Sequence, residues 1–332
     1  MSRLVDHSHR LCIAPMLHCT DRHFRYLARL LTKHSVLYTE MITTRALIHG
    51  NRQRLLKIHP CEHPVSLQLG GSSVAEMRRC AEYATEYGYD EININVGCPS
   101  NRVQAGKFGA CLMLEPHVVA NCIRAIKAVT HIEATVKTRI GVDNRDSYQN
   151  LHHFVETIAS AGCSTFFVHA RKAFLSGLSP RENRTVPPLR YEYVYRLKQD
   201  FPDLRIVLNG GLNSKPAILS QLEHVDGVMI GREAYENPYF LADVDTMLFN
   251  SATPSRHEVL KEYKRYMQQQ LDEGVPLRAM TRHILGLFNG ISGTKAWKRY
   301  LSEYASKKCT DLEVVCKAES LLAGSCETNL AA

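Results

Sequence analysis

The chain has 332 residues, of which 45% are hydrophobic, 22% are charged and 8% are aromatic. This composition is typical of a globular protein and excludes disordered, collagen-like and coiled-coil classes. No apolar run approaches the roughly 18 residues that span a bilayer, and the N-terminus has no apolar targeting segment. Eleven cysteines without a Cys-x-x-Cys pair indicate free thiols. We therefore expect a cytoplasmic protein with no membrane partner, no disulfide framework and no metal.

The net charge of +8 is concentrated in two segments. Residues 278–308 carry a net charge of +6 and residues 169–198 carry +5, so the remainder is slightly acidic. One such segment alone is most simply a solvated surface. Two segments that hold all the excess favour an anionic partner such as nucleic acid.

Short apolar segments rich in β-formers recur along the first three quarters of the chain. Each gap between them has room for a helix and two loops, as parallel βαβ units require. The predicted strands are residues 11–14, 36–39, 65–69, 91–95, 134–138, 165–169, 206–209 and 227–230. Eight such units predict an α/β fold, a (β/α)8 TIM barrel. An open doubly wound sheet is less consistent with the sequence, because no Gly-x-Gly-x-x-Gly turn follows an early strand.

Helical patterns alternate with these strands and then replace them. Within the barrel they are clearest at residues 73–87, 116–129, 147–161 and 214–222. After a linker-like segment at 250–255, Ser255 and Glu258 form a capping box for a helix that ends near residue 272. Further helices are predicted at about 277–289, 293–306 and 310–323. We therefore predict a barrel over 1–248, a small all-α domain over 255–324 and a disordered tail over 325–332.

Glycines follow the last two predicted strands, in Asn209-Gly210-Gly211 and Gly231-Arg232. In TIM barrels these two loops commonly bind phosphate. Glycine lets backbone N–H groups approach an anion closely, and an arginine adds a fork of donors. The alternative is that the glycines only turn the chain.

Lys137 lies within the fifth predicted strand, where a bare buried ammonium would be costly. It is a cation beside an anionic cofactor, a Schiff-base lysine of an aldolase, or a lysine that reaches solvent at the strand end. His169 ends the sixth strand, a position that favours function in a barrel.

Other side chains suited to chemistry follow strands one, three and four. Asn95 alternates with Asn93, so both point to one face, and Gly97-Cys98-Pro99 follows directly. Cys98 is a buried thiol, a nucleophile or an acid. Gln68 suits the edge of a flavin or pyrimidine ring, and Met16 can pack on a planar ring.

These motifs together resemble the tRNA-dihydrouridine synthases. They are Ala14-Pro15-Met16, Gln68, Asn93-Ile-Asn-Val-Gly-Cys-Pro99, Lys137, His169-Ala-Arg171, Asn209-Gly-Gly211 and Gly231-Arg232. The insertion from His169 to Arg184 and the segment Lys295-Ala-Trp-Lys-Arg299 resemble the DusA branch in particular. The resemblance covers about residues 10 to 305.

The resemblance implies an FMN-binding barrel joined to a helical RNA-binding domain. It implies that NADPH, or NADH, drives reduction of the C5–C6 bond of uridines 20 and 20a in the tRNA D-loop. Cys98 would be the acid that protonates C5, and Asn95 would bind the uracil. FMN would be held by Ala14, Pro15, Met16, Gln68, Lys137, His169, Asn209, Gly210, Gly211, Gly231 and Arg232. We expect tRNA contacts from Arg171, Arg181, Arg184, Lys295, Lys298 and Arg299.

Two other classes share part of this pattern. A flavin barrel that acts on a small molecule, such as a dihydroorotate-type dehydrogenase or an ene-reductase, would share the FMN motifs. It would not need the basic helical domain. A non-enzymatic RNA-binding barrel would explain the charge but not Cys98, Lys137 and the glycine loops together. No protein partner is implied.

Overall fold

A computed structural model describes residues 9–305 and 311–322. Its parallel strands form one sheet in the order β1-β9-β8-β7-β6-β5-β4-β2, with β3 paired to β4. The strands are β1 Leu11–Ile13, β2 Leu37–Tyr38, β3 Ile42–Thr43, β4 Val65–Gly70, β5 Glu91–Val96, β6 Glu133–Arg139, β7 Thr165–His169, β8 Arg205–Asn209 and β9 Gly227–Ile230.

The sheet closes into a barrel where β1 meets Val36, the residue before β2. Cys12 of β1 forms a parallel bridge with Val36. The N–H of Ile13 donates to the carbonyl of Val36 at 3.0 Å, and the N–H of Val36 donates to the carbonyl of Leu11 at 3.0 Å. The predicted (β/α)8 barrel is therefore confirmed. All eight predicted strands occur, with ends shifted by at most one residue. The short β3 was not predicted, because two residues are too few to show the alternation that is typical of a strand.

The helices follow the strands as βαβ topology requires. They are α1 Arg22–Leu31, α2 Thr44–His49, α3 Arg52–Leu56, α4 Val74–Glu86, α5 Asn101–Ala105, α6 Pro116–Lys127, α7 Tyr148–Ala159, α8 Tyr191–Asp200, α9 Lys215–Leu222, α10 Arg232–Glu236, α11 Phe240–Phe249, α12 Arg256–Asp272, α13 Arg278–Ile284, α14 Thr294–Tyr304 and α15 Glu313–Glu319. Among these helices, none is long and apolar enough to cross a membrane.

Local capping explains where several helices begin. The Ser73 hydroxyl accepts from the N–H of Glu76 at the start of α4. Ser255 and Glu258 form the predicted capping box of α12. Helix α1, which was not predicted, begins after Asp21, whose carboxylate accepts from the N–H groups of His23 and Phe24 at 3.0 Å.

Contacts divide the described residues into two compact units. The first contains residues 9–18 and 35–231, and the second contains 19–34, 232–305 and 311–322. In the second unit α1 packs with the C-terminal helices: His23 Nδ1 lies 2.7 Å from the Tyr266 hydroxyl, and Asp21 pairs with Arg282 at 2.5 Å. Sequence order placed α1 with the barrel, whereas its polar partners lie about 240 residues later in the chain. The predicted tail lies outside the described residues.

The barrel interior has an apolar sector and a polar sector. Residues from β1, β7, β8 and β9, with the Val36–Tyr38 segment, form the apolar sector. Its members are Cys12, Ala14, Val36, Tyr38, Phe167, Val207 and Met229. The polar sector comes from β4, β5 and β6 and consists of Ser66, Gln68, Glu91, Asn93, Asn95 and Thr135, all buried or nearly so.

Candidate active site

The carboxyl ends of the strands bring most of the predicted site residues together. Asn95 is paired in register with Lys137, and His169 with Asn209. Alternate residues of a strand point to the same side, so these side chains share the interior face with Gln68 of β4. The loops that follow β5, β6 and β7 pack together through Ala110, Val142 and Ala173. The candidate site is therefore the barrel mouth.

Cys98 lies on a loop that is fixed at several points. Asn95 Oδ1 accepts from the N–H of Cys98 at 2.6 Å and from that of Gly97 at 3.2 Å. The carbonyl of Cys98 accepts from the N–H of Ala110 at 2.9 Å. Gly109, at φ +77°, is close enough that a Cβ there would lie 2.4 Å from the Cys98 carbonyl oxygen. The thiol is only partly buried and lies 3.5 Å from the Ser100 hydroxyl. The loop thus presents a positioned thiol.

Lys137 places an amine beside a neutral amide at the mouth. Its Nζ donates to Asn209 Oδ1 at 3.0 Å, and Asn209 Nδ2 donates to the carbonyl of Met229 at 2.7 Å. Burial, and then repulsion by Arg139, lowers the pKa of Lys137 to about 7. An anionic group bound beside this amine would favour its charged form.

The glycines after β8 occupy crowded positions that a side chain cannot share. Gly210 has φ +116°, and a Cβ there would lie 2.7 Å from Cδ2 of His169. Gly211 has φ +74°, and a Cβ there would lie 2.5 Å from the Tyr191 hydroxyl. That hydroxyl donates to the carbonyl of Gly210 at 2.8 Å. Tyr191 was not predicted, because α8 follows the long insertion that separates it from β7.

His169 is neutral at physiological pH. Burial lowers its pKa well below the usual value, and the nearby cations Arg139 and Lys137 lower it further. A neutral imidazole both donates and accepts a hydrogen bond. His169 can therefore bind a polar ligand edge without adding charge.

The end of β1 lies beside the end of β9. The N–H of Ala14 donates to the carbonyl of Ile230 at 2.8 Å. A Cβ on Gly231 would lie 3.8 Å from Cβ of Ala14 and 4.0 Å from Sδ of Met16, which are ordinary contacts. Pro15 and Met16 are partly exposed. Arg232, which directly follows Gly231, is exposed and begins α10.

Arg139 is the main residue that sequence reasoning missed. Its Nε donates to the carbonyl of Gly97 at 2.8 Å, and its Nη1 donates to the carbonyls of Asn183 at 2.8 Å and Lys172 at 3.1 Å. Burial, followed by repulsion from Arg184 and Arg171, lowers its pKa to about 10, so it remains charged at pH 7. Arg139 alternates with Lys137 on β6, and that alternation was the available signal. It joins the Cys98 loop to the insertion after β7.

The basic segment at 169–198 has less unpaired charge than its composition indicates. Arg171 donates to the carbonyls of Thr185 and Pro187, whereas Arg181 and Arg184 are exposed. Four other cations face carboxylates. These pairs are Lys172–Asp146 at 3.0 Å, Arg190–Asp146 at 3.7 Å, Arg196–Asp200 at 3.8 Å and Lys198–Asp226 at 2.9 Å.

Helix α14 has a basic face, which we define as Lys295, Lys298 and Arg299. Lys295 and Arg299 are exposed, and Lys298 is partly exposed. Within residues 9–305 and 311–322, no carboxylate pairs with any of the three. Trp297 is fully buried, and its Nε1 donates to the carbonyl of Ile284 at 3.2 Å. Trp297 therefore anchors this helix to its neighbours and does not face solvent.

The opposite end of the barrel interior holds an ionic cluster. His9 Nε2 lies 2.5 Å from Glu91 Oε2, and Arg205 Nη1 lies 3.0 Å from His9 Nδ1. One ligand atom each from His9, Glu91 and Glu133 would fit within 4.8 Å of one another. A guanidinium can only donate, so Nδ1 accepts from Arg205 and Nε2 donates to Glu91. These side chains form a hydrogen-bonded network around the buried carboxylate of Glu91.

Comparison with known proteins identifies the family of this chain. The description of the matching family is dihydrouridine synthase (Dus), and the match covers residues 12–322. A tRNA-dihydrouridine(20/20a) synthase of Shewanella oneidensis is 54% identical over 305 residues, 91% of each chain. Proteins of the same name from Synechocystis and Escherichia coli K12 are 55% and 51% identical, covering 88% and 96% of this chain and 88% and 93% of theirs. With its closed parallel barrel and the motifs at the mouth, the chain belongs to the dihydrouridine synthase family and is an oxidoreductase.

Proposed function

We propose that this protein reduces the C5–C6 bond of uridines 20 and 20a in the D-loop of tRNA, giving 5,6-dihydrouridine. The observation that carries the proposal is the placement of Cys98. Its thiol is partly exposed, and Asn95 holds the backbone N–H of Cys98 at the mouth of the family barrel. The names of the three relatives, each more than 50% identical to this chain, support tRNA as the substrate.

The residues at the mouth fit FMN. Lys137 is a partly buried amine whose hydrogen-bond partner is a neutral amide, so it suits the side of a flavin that becomes negative on reduction. A flat ring can lie beside Met16 and Gly231, where no Cβ fills the space. The backbone of Gly210 and Gly211 and the guanidinium of Arg232 would hold the phosphate. Ala14, Pro15, Gln68, His169 and Asn209 complete the set.

The chain's own residues would then bind, orient and protonate the uracil. FMN, reduced by NADPH, would supply the hydride that goes to C6. Cys98 would donate its thiol proton to C5, and the negative charge moves from the base to the thiolate. Asn95 would hold the uracil against that thiol. The reaction needs a reduced thiol, which agrees with a cytoplasmic protein.

A base stacked within tRNA cannot reach a barrel mouth. It must leave the stack, at a cost of a few kcal/mol. Contacts to the surrounding phosphates offset that cost. Arg171, Arg181 and Arg184 of the insertion would supply such contacts, as would the basic face of α14. Arg171 also shapes the loop, because its guanidinium donates to the carbonyls of Thr185 and Pro187.

The test is a pair of cysteine substitutions. Cys98→Ala should lower dihydrouridine formation in tRNA by about 100- to 10,000-fold, the usual contribution of a positioned acid. Flavin content and flavin reduction by NADPH should stay at wild-type levels. Cys111→Ala is the matched control, since its thiol is also partly buried and donates to the carbonyl of Phe108. Unchanged tRNA turnover in Cys98→Ala would remove this residue from the mechanism.

The tRNA interface has a separate test at the basic face of α14. Replacing its three cations with glutamine should weaken tRNA binding and flatten its salt dependence. Each lost phosphate contact lowers the log–log slope by about 0.9 for a duplex. Flavin reduction should not change. A control variant removes three exposed charges from the barrel helices α4 and α6, namely Arg78, Arg124 and Lys127. Equal slopes for wild type and the α14 variant would exclude this face from the interface.

A further inference from the structure

A directed chain of hydrogen bonds begins at the Cys98 loop and enters the barrel. The N–H groups of Gly97 and Cys98 donate to Asn95 Oδ1. Asn95 Nδ2 donates to Gln68 Oε1 at 2.9 Å, and Gln68 Nε2 donates to Asn93 Oδ1 at 2.7 Å. Three amide side chains on two neighbouring strands are thus linked head to tail.

The chain continues to a carboxylate near the other end of the barrel. Asn93 Nδ2 donates to Thr135 Oγ1 at 2.8 Å, and the Thr135 hydroxyl donates to Glu91 Oε1 at 2.9 Å. Ser66 donates to the same oxygen at 2.8 Å. Burial alone would raise the pKa of Glu91, but His9 and Ser66 lower it, so the carboxylate stays ionised.

The two ends of this chain have polarities that cannot be reversed. An ionised carboxylate only accepts hydrogen bonds, and a backbone N–H only donates them. Starting from Glu91, the Thr135 hydroxyl must donate to the carboxylate, so its oxygen accepts from the amide nitrogen of Asn93. Starting from Cys98, Asn95 must offer its oxygen to the loop, so its nitrogen faces Gln68. Both arguments give the same orientation for all three amides.

We infer that Glu91 and Thr135 are positioning residues for the active site. They fix the side-chain amides of Asn93, Gln68 and Asn95 in one orientation through the chain of hydrogen bonds. This inference rests on the proposed function, because it assigns these amides a role toward the uracil and the flavin. Neither Glu91 nor Thr135 touches the reacting atoms.

The consequence is that the amides of Asn95 and Gln68 offer N–H donors in fixed directions near the mouth. Each amide nitrogen has two hydrogens, and the chain uses one of them. Asn95 and Gln68 therefore each keep one N–H that the chain does not use. Such donors suit the carbonyl oxygens of a pyrimidine or an isoalloxazine ring. Reversed amides would place oxygens against those carbonyls and repel them.

Thr135→Val tests the inference, because it removes one hydroxyl and keeps the shape. Asn93 then loses its acceptor, and the amides above it are no longer held in one orientation. We expect kcat for dihydrouridine formation to fall about tenfold, as for a loss of about 1.4 kcal/mol. KM for tRNA should change less than twofold, since phosphate contacts dominate its affinity. Thr135→Ser restores the hydroxyl and should restore kcat.

Thr165→Val is the matched control. Thr165 is also a buried threonine, on the neighbouring strand β7, and its hydroxyl donates to Glu133 at 2.5 Å rather than to Glu91. It should leave kcat within twofold of wild type. A tenfold loss in Thr165→Val as well would show that any buried hydroxyl matters, and would overturn the inference.

A readout without turnover separates this inference from the proposed function. Neutron diffraction of a crystal grown in D2O locates the amide deuterons of the wild-type protein. We expect those of Asn95 toward Gln68, of Gln68 toward Asn93 and of Asn93 toward Thr135. Any reversed amide overturns the inference even if Thr135→Val does not fold. The expected orientation in a protein that makes no dihydrouridine would support the chain and refute the function. Active wild type with an equally active Thr135→Val variant would overturn the chain alone.

Discussion

The polar and apolar sectors both fill the barrel interior, one with hydrogen-bonded polar side chains and the other with apolar side chains. In the apolar sector, Phe167, Val207 and Met229 pack without a polar atom in their side chains. In the polar sector, Gln68 and Asn93 are as deeply buried, yet both amides are hydrogen-bonded to neighbours. Burial without a partner would cost about 1–3 kcal/mol per group.

Because of this difference, the two sectors respond differently to substitution. The apolar sector tolerates changes that conserve volume, because dispersion has no direction. The polar sector depends on a sequence of donors and acceptors that starts at Glu91 and ends at Cys98. Replacing one residue of this sequence leaves several groups without a hydrogen-bond partner. The sector that leads to the thiol is therefore the more sensitive to substitution.

The largest expected effect is from Glu91→Ala. It leaves three buried groups, on His9, Ser66 and Thr135, without their acceptor, and each such loss costs about 1–3 kcal/mol. The free energy of unfolding, from urea denaturation, should fall by the sum of these losses at pH 7. Because the folded-state pKa of Glu91 is lowered, its stabilisation is present above about pH 4.3. It is lost as pH falls further. A variant as stable as wild type at pH 7 would refute the network.

An intermediate effect should distinguish the sectors by matched substitutions to leucine. Asn93→Leu leaves the amide of Gln68 without its acceptor and the hydroxyl of Thr135 without its donor. We expect the free energy of unfolding to fall by about 1–3 kcal/mol per group. Met229→Leu, in the apolar sector, conserves volume and should cost less than about 1.5 kcal/mol. Equal losses in the two variants would contradict the comparison.

A third effect varies with pH and concerns Lys137, which crosses from the polar sector to Asn209. Its folded-state pKa of about 7 lies below the unfolded value of about 10.4. Between these pH values the unfolded chain binds the additional proton, so stability rises with pH by at most about 1.4 kcal/mol per unit. Lys137→Met should remove that rise in the flavin-free protein. Urea denaturation at pH 6.5, 8 and 9.5 measures it, and parallel curves for both proteins would contradict the lowered pKa.

The sequence by itself determined the architecture and the family. Strand positions follow from short β-branched segments at regular spacing, and helix starts such as Ser73 and Ser255 follow from local capping. Both depend on interactions within a few residues, which a sequence displays directly. The motifs at the strand ends were equally visible, because a parallel barrel brings all carboxyl ends to one mouth.

Only the tertiary structure decided which groups act on one another. Glu91 and Thr135 are 44 residues apart and meet through the register of β5 and β6. Helix α1 joins the C-terminal helices through partners some 240 residues away. Arg139 holds two loops by donating to backbone carbonyls, which every residue possesses and no pattern reveals. Such contacts depend on how strands align in space, and a linear sequence contains no direct record of that alignment.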